Sequence, residues 1–174
     1  MNNQENLSFP IGKFAYPKTV TASDLEKYIQ EIADLPTKVR ATVQKMTESE
    51  LETPYRPDGW TVRQVVHHLA DSHGNAFFRF KFALTEESPS IKPYKEDLWA
   101  KLPDYQLAIE VSLSMLENIH LRWVAILKHM TESDFARTFF HPALEKTLRL
   151  DIVTPMYVWH GNHHLAHILL VKNK

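Results

Sequence analysis

The stretch LDIVTPMYVWHGNHHLAHILLV, residues 150–171, decides the fold. Wound at about 100° per residue, Val153, Tyr157, Ile168 and Val171 make one apolar stripe. His160 and His164 fall inside that stripe, one turn apart. An imidazole in a core stripe is costly unless its nitrogens are satisfied, and a metal ion does that. Two imidazoles at i and i+4 reach one ion, which is why H-x-x-x-H recurs in helical zinc sites. Spacing alone weighs this evenly against two hydrogen-bonded core histidines. His163 and His167 repeat the spacing on the adjoining face; they read first as surface residues, then as supports of the site or of an interface. Pro155 lies in the first turns, where a helix tolerates it.

Working outward, three more helices are predicted. Ser23 and Glu26 have capping-box spacing, and Leu25, Ile29, Ile32, Val39, Val43 and Met46 then recur at helical intervals. Pro36 should interrupt and kink that helix. A short turn at Thr47–Leu51 and the loop TPYRPDG lead to a helix over 60–84, with Val62, Val65, Val66, Leu69, Ala76, Phe77 and Phe80 on one face. Residues 85–105 hold Pro89, Pro93 and Pro103 and form a long connection, with one helical turn near Trp99. A third helix over 105–129 carries Ile109, Leu113, Leu116, His120, Trp123, Leu127 and Met130. Residues 136–150 alternate as a small hairpin, FFHP against TLRL. Residues 1–20, with Pro10 and Pro17, read as an extended arm. The expected architecture is an all-α four-helix bundle over 1–174, one domain, and the long connection lets two neighbouring helices run parallel.

Composition narrows the chemistry. The chain has 174 residues, 44% of them hydrophobic, enough for one substantial core. A net charge of −1 gives no basic surface for nucleic acid. Four glycines leave little room for phosphate loops, and the absence of cysteine excludes disulfides, thiolate zinc sites and a cysteine nucleophile. No signal-peptide pattern or membrane-length apolar run is visible, so a cytoplasmic location is expected. Ten histidines are the unusual feature. No G-x-S-x-G, G-x-x-x-x-G-K or H-E-x-x-H occurs, and without a glutamate beside the histidine pair a zincin protease is disfavoured.

A catalytic metal site takes a third protein ligand and keeps an open position. The second helix offers His67, His68 and His73; the wheel puts His73 in mid-stripe with the other two flanking it, and does not choose. His120, in the stripe of the third helix, could reach the same cavity as a base or a support, though a hydrogen-bonded core histidine is the plainer reading. Asp71 could orient a neighbouring imidazole but reads more simply as a solvated charge.

WTVRQVVHHLADSH (60–73) together with WHGNHHLAHI (159–168) resembles the YfiT branch of the DinB-like superfamily. LSFPIGKF (7–14), LETPYRPDGW (51–60), RFKFALTEESPSIKPY (79–94) and FFHP (139–142) extend the resemblance over nearly the whole chain. It implies a four-helix bundle with a three-histidine site: His68 from the second helix, His160 and His164 from the fourth. Gly161–Asn162 depart from the polar residues usual there, at positions that are not ligands. The branch implies a metal-dependent hydrolase, one divalent ion (Zn first, Ni second) activating water for a small-molecule substrate, in a homodimer. The first alternative is a metal-dependent S-transferase using a low-molecular-weight thiol such as bacillithiol, and the second a non-catalytic metal-binding protein.

Overall fold

The structure, a computed structural model, describes residues 7–172. Four long helices make up most of it: α1 (Ala22–Val43), α2 (Val62–Thr85), α3 (Ile109–Leu127) and α4 (Leu150–Lys172). One-turn helices occupy Glu48–Leu51, Glu96–Trp99 and Glu132–Phe135. The expected hairpin is present as β1 (Thr138–His141) against β2 (Lys146–Arg149), antiparallel, with Phe139 opposite Leu148. No helix among the described residues is long and apolar enough to cross a membrane.

Three sequence expectations need correcting. The cap of α1 is Thr21, not Ser23: Thr21 accepts from the Asp24 amide and Asp24 accepts from the Thr21 amide. The same Ser/Thr-x-x-acid spacing occurs twice here, and the earlier copy adds half a turn of helix. Pro36 does not interrupt α1, which is helical from Ala22 to Val43. Proline has no amide hydrogen, so the Ile32 carbonyl four residues back loses its helical partner. Its replacement comes from another helix: His120 Nδ1 lies 2.6 Å from that oxygen. The third helix also starts later than expected, at Ile109, because Pro103–Gln106 form a 3₁₀ turn that buries Tyr105.

Contacts between helices fix their directions. His67 meets Ser112 and His73 meets His120, so α2 and α3 run parallel. Ser72 faces His160 while Arg79 reaches Tyr157, so α4 runs against α2. Arg40 pairs with Glu117 and Glu110 while His120 bonds at Ile32, so α1 runs against α3. The order is up, down, down, up. The 85–105 connection makes the parallel return, pinned to the hairpin where Ile91 N donates to Phe140 O and Phe140 N to Pro89 O.

The core falls into two apolar clusters. One gathers Ile29, Ile32, Phe80, Trp123, Val153 and Tyr157; the other gathers Leu35, Val39, Leu69, Leu113, Leu116 and Ile168. Each long helix crosses from one cluster to the other, and at that crossing stand His73 on α2, His120 on α3, and His160 and His164 on α4. The bundle carries a layer of imidazoles between two apolar halves.

Candidate metal centre

Thr61 caps α2 with Gln64 in a capping box, which starts the helix directly after Trp60 and fixes the rotation of everything beyond. His68, Ser72 and Arg79 follow at spacings of four and seven and share one face. That face meets His160 and His164 on α4. Ring nitrogens of His68, His160 and His164 all lie within 4.8 Å of one another. They stand in a pocket of about 480 Å³ that opens between Trp60, Arg79, Tyr94 and Leu144. Trp60 packs on the His68 ring at 4.6 Å. A larger cavity of about 720 Å³, between the start of α1 and the end of α3, contains no histidine in its lining.

Burial holds these imidazoles neutral. His68 is pushed down to about 4 by desolvation, with His163 adding to it. His160 and His164 lie well below the ordinary value, through desolvation first and neighbouring imidazoles second. Neutral imidazole is the form that binds a metal. His68 Nε2 stands 3.3 Å from His160 Nε2. Ligand nitrogens about 2.05 Å from a tetrahedral ion are about 3.3 Å apart, so the residues present fit such an ion.

The remaining histidines are engaged elsewhere. His67 Nδ1 is 2.7 Å from Ser112 Oγ and its Nε2 is 3.2 Å from Leu107 O, on the α3 side of the bundle. His73 is fully buried, with Nδ1 at 2.8 Å from His120 Nε2 and Nε2 at 3.3 Å from His160 Nδ1. His120 has both nitrogens taken and does not line the pocket. His163 stacks on Trp159 at 4.5 Å and packs against Phe9. His167 stacks on Tyr55 at 3.8 Å and contacts His164 Nδ1 and Ser8 O. His163, His164 and His167 form a second close group of ring nitrogens, beneath the N-terminal segment. Among the described residues the Asp71 carboxylate hydrogen-bonds no histidine; it accepts a 2.6 Å bond from Tyr105 OH, and burial raises its carboxyl.

Sequence reasoning passed over Ser72, Arg79 and Tyr94. Ser72 Oγ is 3.5 Å from His160 Nε2, and the Tyr94 hydroxyl bonds Ser72 while burial pushes it up to about 12. Arg79 Nη1 donates to Tyr157 OH at 2.9 Å. The signal for Ser72 was its place one turn after His68. Tyr94 had none, since it arrives from the 85–105 connection.

Comparison with known proteins bears on the family and the fold. The DinB superfamily model matches residues 31–168. The chain belongs to the DinB superfamily. A Bacillus mycoides protein carrying the provisional name metal-dependent hydrolase is 47% identical over 170 residues, 98% of each chain. A Bacillus cereus relative with the same provisional name is 47% identical over 97% of each chain. YfiT from Bacillus subtilis, provisionally a metal-dependent hydrolase with an unusual four-helix-bundle topology, superposes with TM-score 0.94 at 45% identity, over 97% of each chain. A mycothiol-dependent maleylpyruvate isomerase shares the fold alone, at TM-score 0.68 and 15% identity over 86% of this chain and 63% of that one.

Proposed function

We propose that this chain is a metal-dependent hydrolase of small molecules in which His68, His160 and His164 hold one divalent ion, zinc first and nickel second. The observation that carries the reading is the convergence of three neutral imidazoles, with His68 and His160 3.3 Å apart, in a pocket open to substrate. When bound, the ion supplies Lewis acidity, lowering the pKa of a water toward neutrality and polarising a carbonyl. The chain's own groups do the rest. Ser72 Oγ, held by Tyr94, offers a hydrogen bond beside the nitrogens and orients the attacking water. Arg79, steadied by Tyr157, presents positive charge on the wall where a substrate oxygen becomes negative. Trp60 covers His68 and limits water. His120 does not act as a base on this reading, because neither of its nitrogens faces the pocket. We infer also a homodimer, because Phe78, Phe82 and Leu121 stand 55%, 46% and 73% exposed on the parallel α2–α3 pair; light scattering checks it.

The test is elemental analysis of protein purified without nickel resin, followed by esters, amides and electrophiles offered with and without a low-molecular-weight thiol. One ion per chain and turnover with water alone are expected. Turnover only after thiol addition would replace hydrolysis by S-transfer. An ion whose removal cost stability, with no activity in any metal-replete form, would leave a non-catalytic metal-binding protein.

A further inference from the structure

Behind the pocket, His160, His73 and His120 form a continuous chain of ring contacts. His160 Nδ1 is 3.3 Å from His73 Nε2, His73 Nδ1 is 2.8 Å from His120 Nε2, and His120 Nδ1 is 2.6 Å from the Ile32 carbonyl oxygen. His73 and His120 are 0% and 2% exposed, too dry for water to intervene. Burial keeps both rings neutral, so each has one N–H and one lone pair.

The far end of the chain sets its direction. A carbonyl oxygen only accepts, so His120 carries its proton on Nδ1 and offers a lone pair at Nε2. His73 must therefore carry its proton on Nδ1, and so must His160. Any other arrangement sets two lone pairs or two hydrogens against each other in the dry interior. The result is a bare Nε2 on His160, facing His68 and the pocket. The carbonyl is available because Pro36 has no amide hydrogen to give it. Because that carbonyl takes up no proton, the chain conducts none; it fixes a tautomer and holds a ring.

We propose that His73 and His120 are positioning residues for His160, and that the carbonyl released by Pro36 dictates, through them, which nitrogen His160 presents to the ion. This rests on the assignment of His160 as a ligand. The same device serves His164: its Nδ1 lies 3.4 Å from His167 Nδ1, and His167 Nε2 lies 3.3 Å from Ser8 O, so His167 donates to the carbonyl, accepts from His164, and leaves His164 Nε2 bare. Partners of this kind orient a ligand and raise its basicity.

The experiment has two arms. In metal-free protein with ¹⁵N-labelled histidine, long-range proton–nitrogen correlations report each tautomer; His73, His120 and His160 are all expected to carry the proton on Nδ1. Zinc affinity is then measured by chelator competition. His73→Leu and His120→Leu should weaken it about 10- to 100-fold. His120→Gln, whose side-chain oxygen still accepts from His73, should recover most of the loss, which a purely space-filling role would not give. A proton on Nε2 of His160, or parental affinity in folded His73→Leu, would overturn the proposal. The ligand assignment fails by a different result, parental affinity in His160→Ala, and the tautomer arm, read without metal, decides the chain either way.

Discussion

At His67 both ring nitrogens are engaged by α3 and its approach, Ser112 on one side and the Leu107 carbonyl on the other; at His68 only Nε2 has a partner, and that partner is His160. Replacing His67 with alanine should therefore leave one ion per chain. It should lower stability by about 1–3 kcal/mol, because a buried hydroxyl loses its acceptor. Elemental analysis and urea melts read the two effects separately. His68→Ala should do the reverse to the metal, and a His67→Ala protein that lost its ion would move the ligand by one residue. The pattern on α4 was legible because both imidazoles sit on one helix, where spacing fixes their relation. The contribution of α2 was not. His67, His68 and His73 all border the same buried arc, and what separates them is which nitrogens Ser112, Leu107 and His120 have already claimed. Those are contacts across 40 or more positions of chain, beyond the reach of local pattern.

Gly161 stands between the two imidazoles of α4 and lets that helix close on α1. A Cβ there would lie 2.3 Å from Leu35 Cδ2, with Cδ1 and Cγ at 3.1 and 3.3 Å. Leu35 is buried, so the clash cannot be relieved by swinging into solvent. Gly161→Ala should cost about 1–3 kcal/mol despite its better helix propensity. Leu35→Ala should cost about 2–5 kcal/mol by leaving a cavity. The double variant should be more stable than the sum of the two, because the new methyl fills part of the space. Melts of the four proteins give the coupling, and simple additivity would show that the two helices are not in tight register here. Elements were largely readable because periodicity is local: the long helices and the hairpin lie where the pattern puts them, within a few residues. The start of α1 and the passage through Pro36 were misjudged for one reason. Each turns on one or two hydrogen bonds, and for Pro36 the compensating donor, His120, is 84 positions away.

For the molecule as a whole, the directions of the helices depend on the 85–105 connection, whose length permitted a parallel return without dictating it. That return sets α2 beside α3 in parallel and brings Pro93, Tyr94 and Glu96 to the pocket. It also brings histidines of α2, α3 and α4 into one layer, which makes the bundle sensitive to acid. His120 is held at about 4, chiefly by burial, and His67 is lowered for the same reason, while both return to about 6.5 when the chain unfolds. Between those values the unfolded chain binds more protons than the folded one. Stability is then complete above about pH 6.5 and falls as the pH drops toward 4. His120 alone accounts for about 3 kcal/mol across that window. Metal-free protein should show a urea midpoint that is flat from pH 8 to 7 and falls steeply from 6.5 to 4. His120→Gln should take up about one proton fewer on unfolding there, a shallower slope that measures the contribution of this one ring. An ion in the site binds only neutral imidazole, so metal-loaded protein should keep its midpoint to lower pH until protons displace the metal. A midpoint unchanged between pH 7 and 4.5 in the metal-free protein would mean that the histidine layer is open to water, which the 2% exposure of His120 argues against.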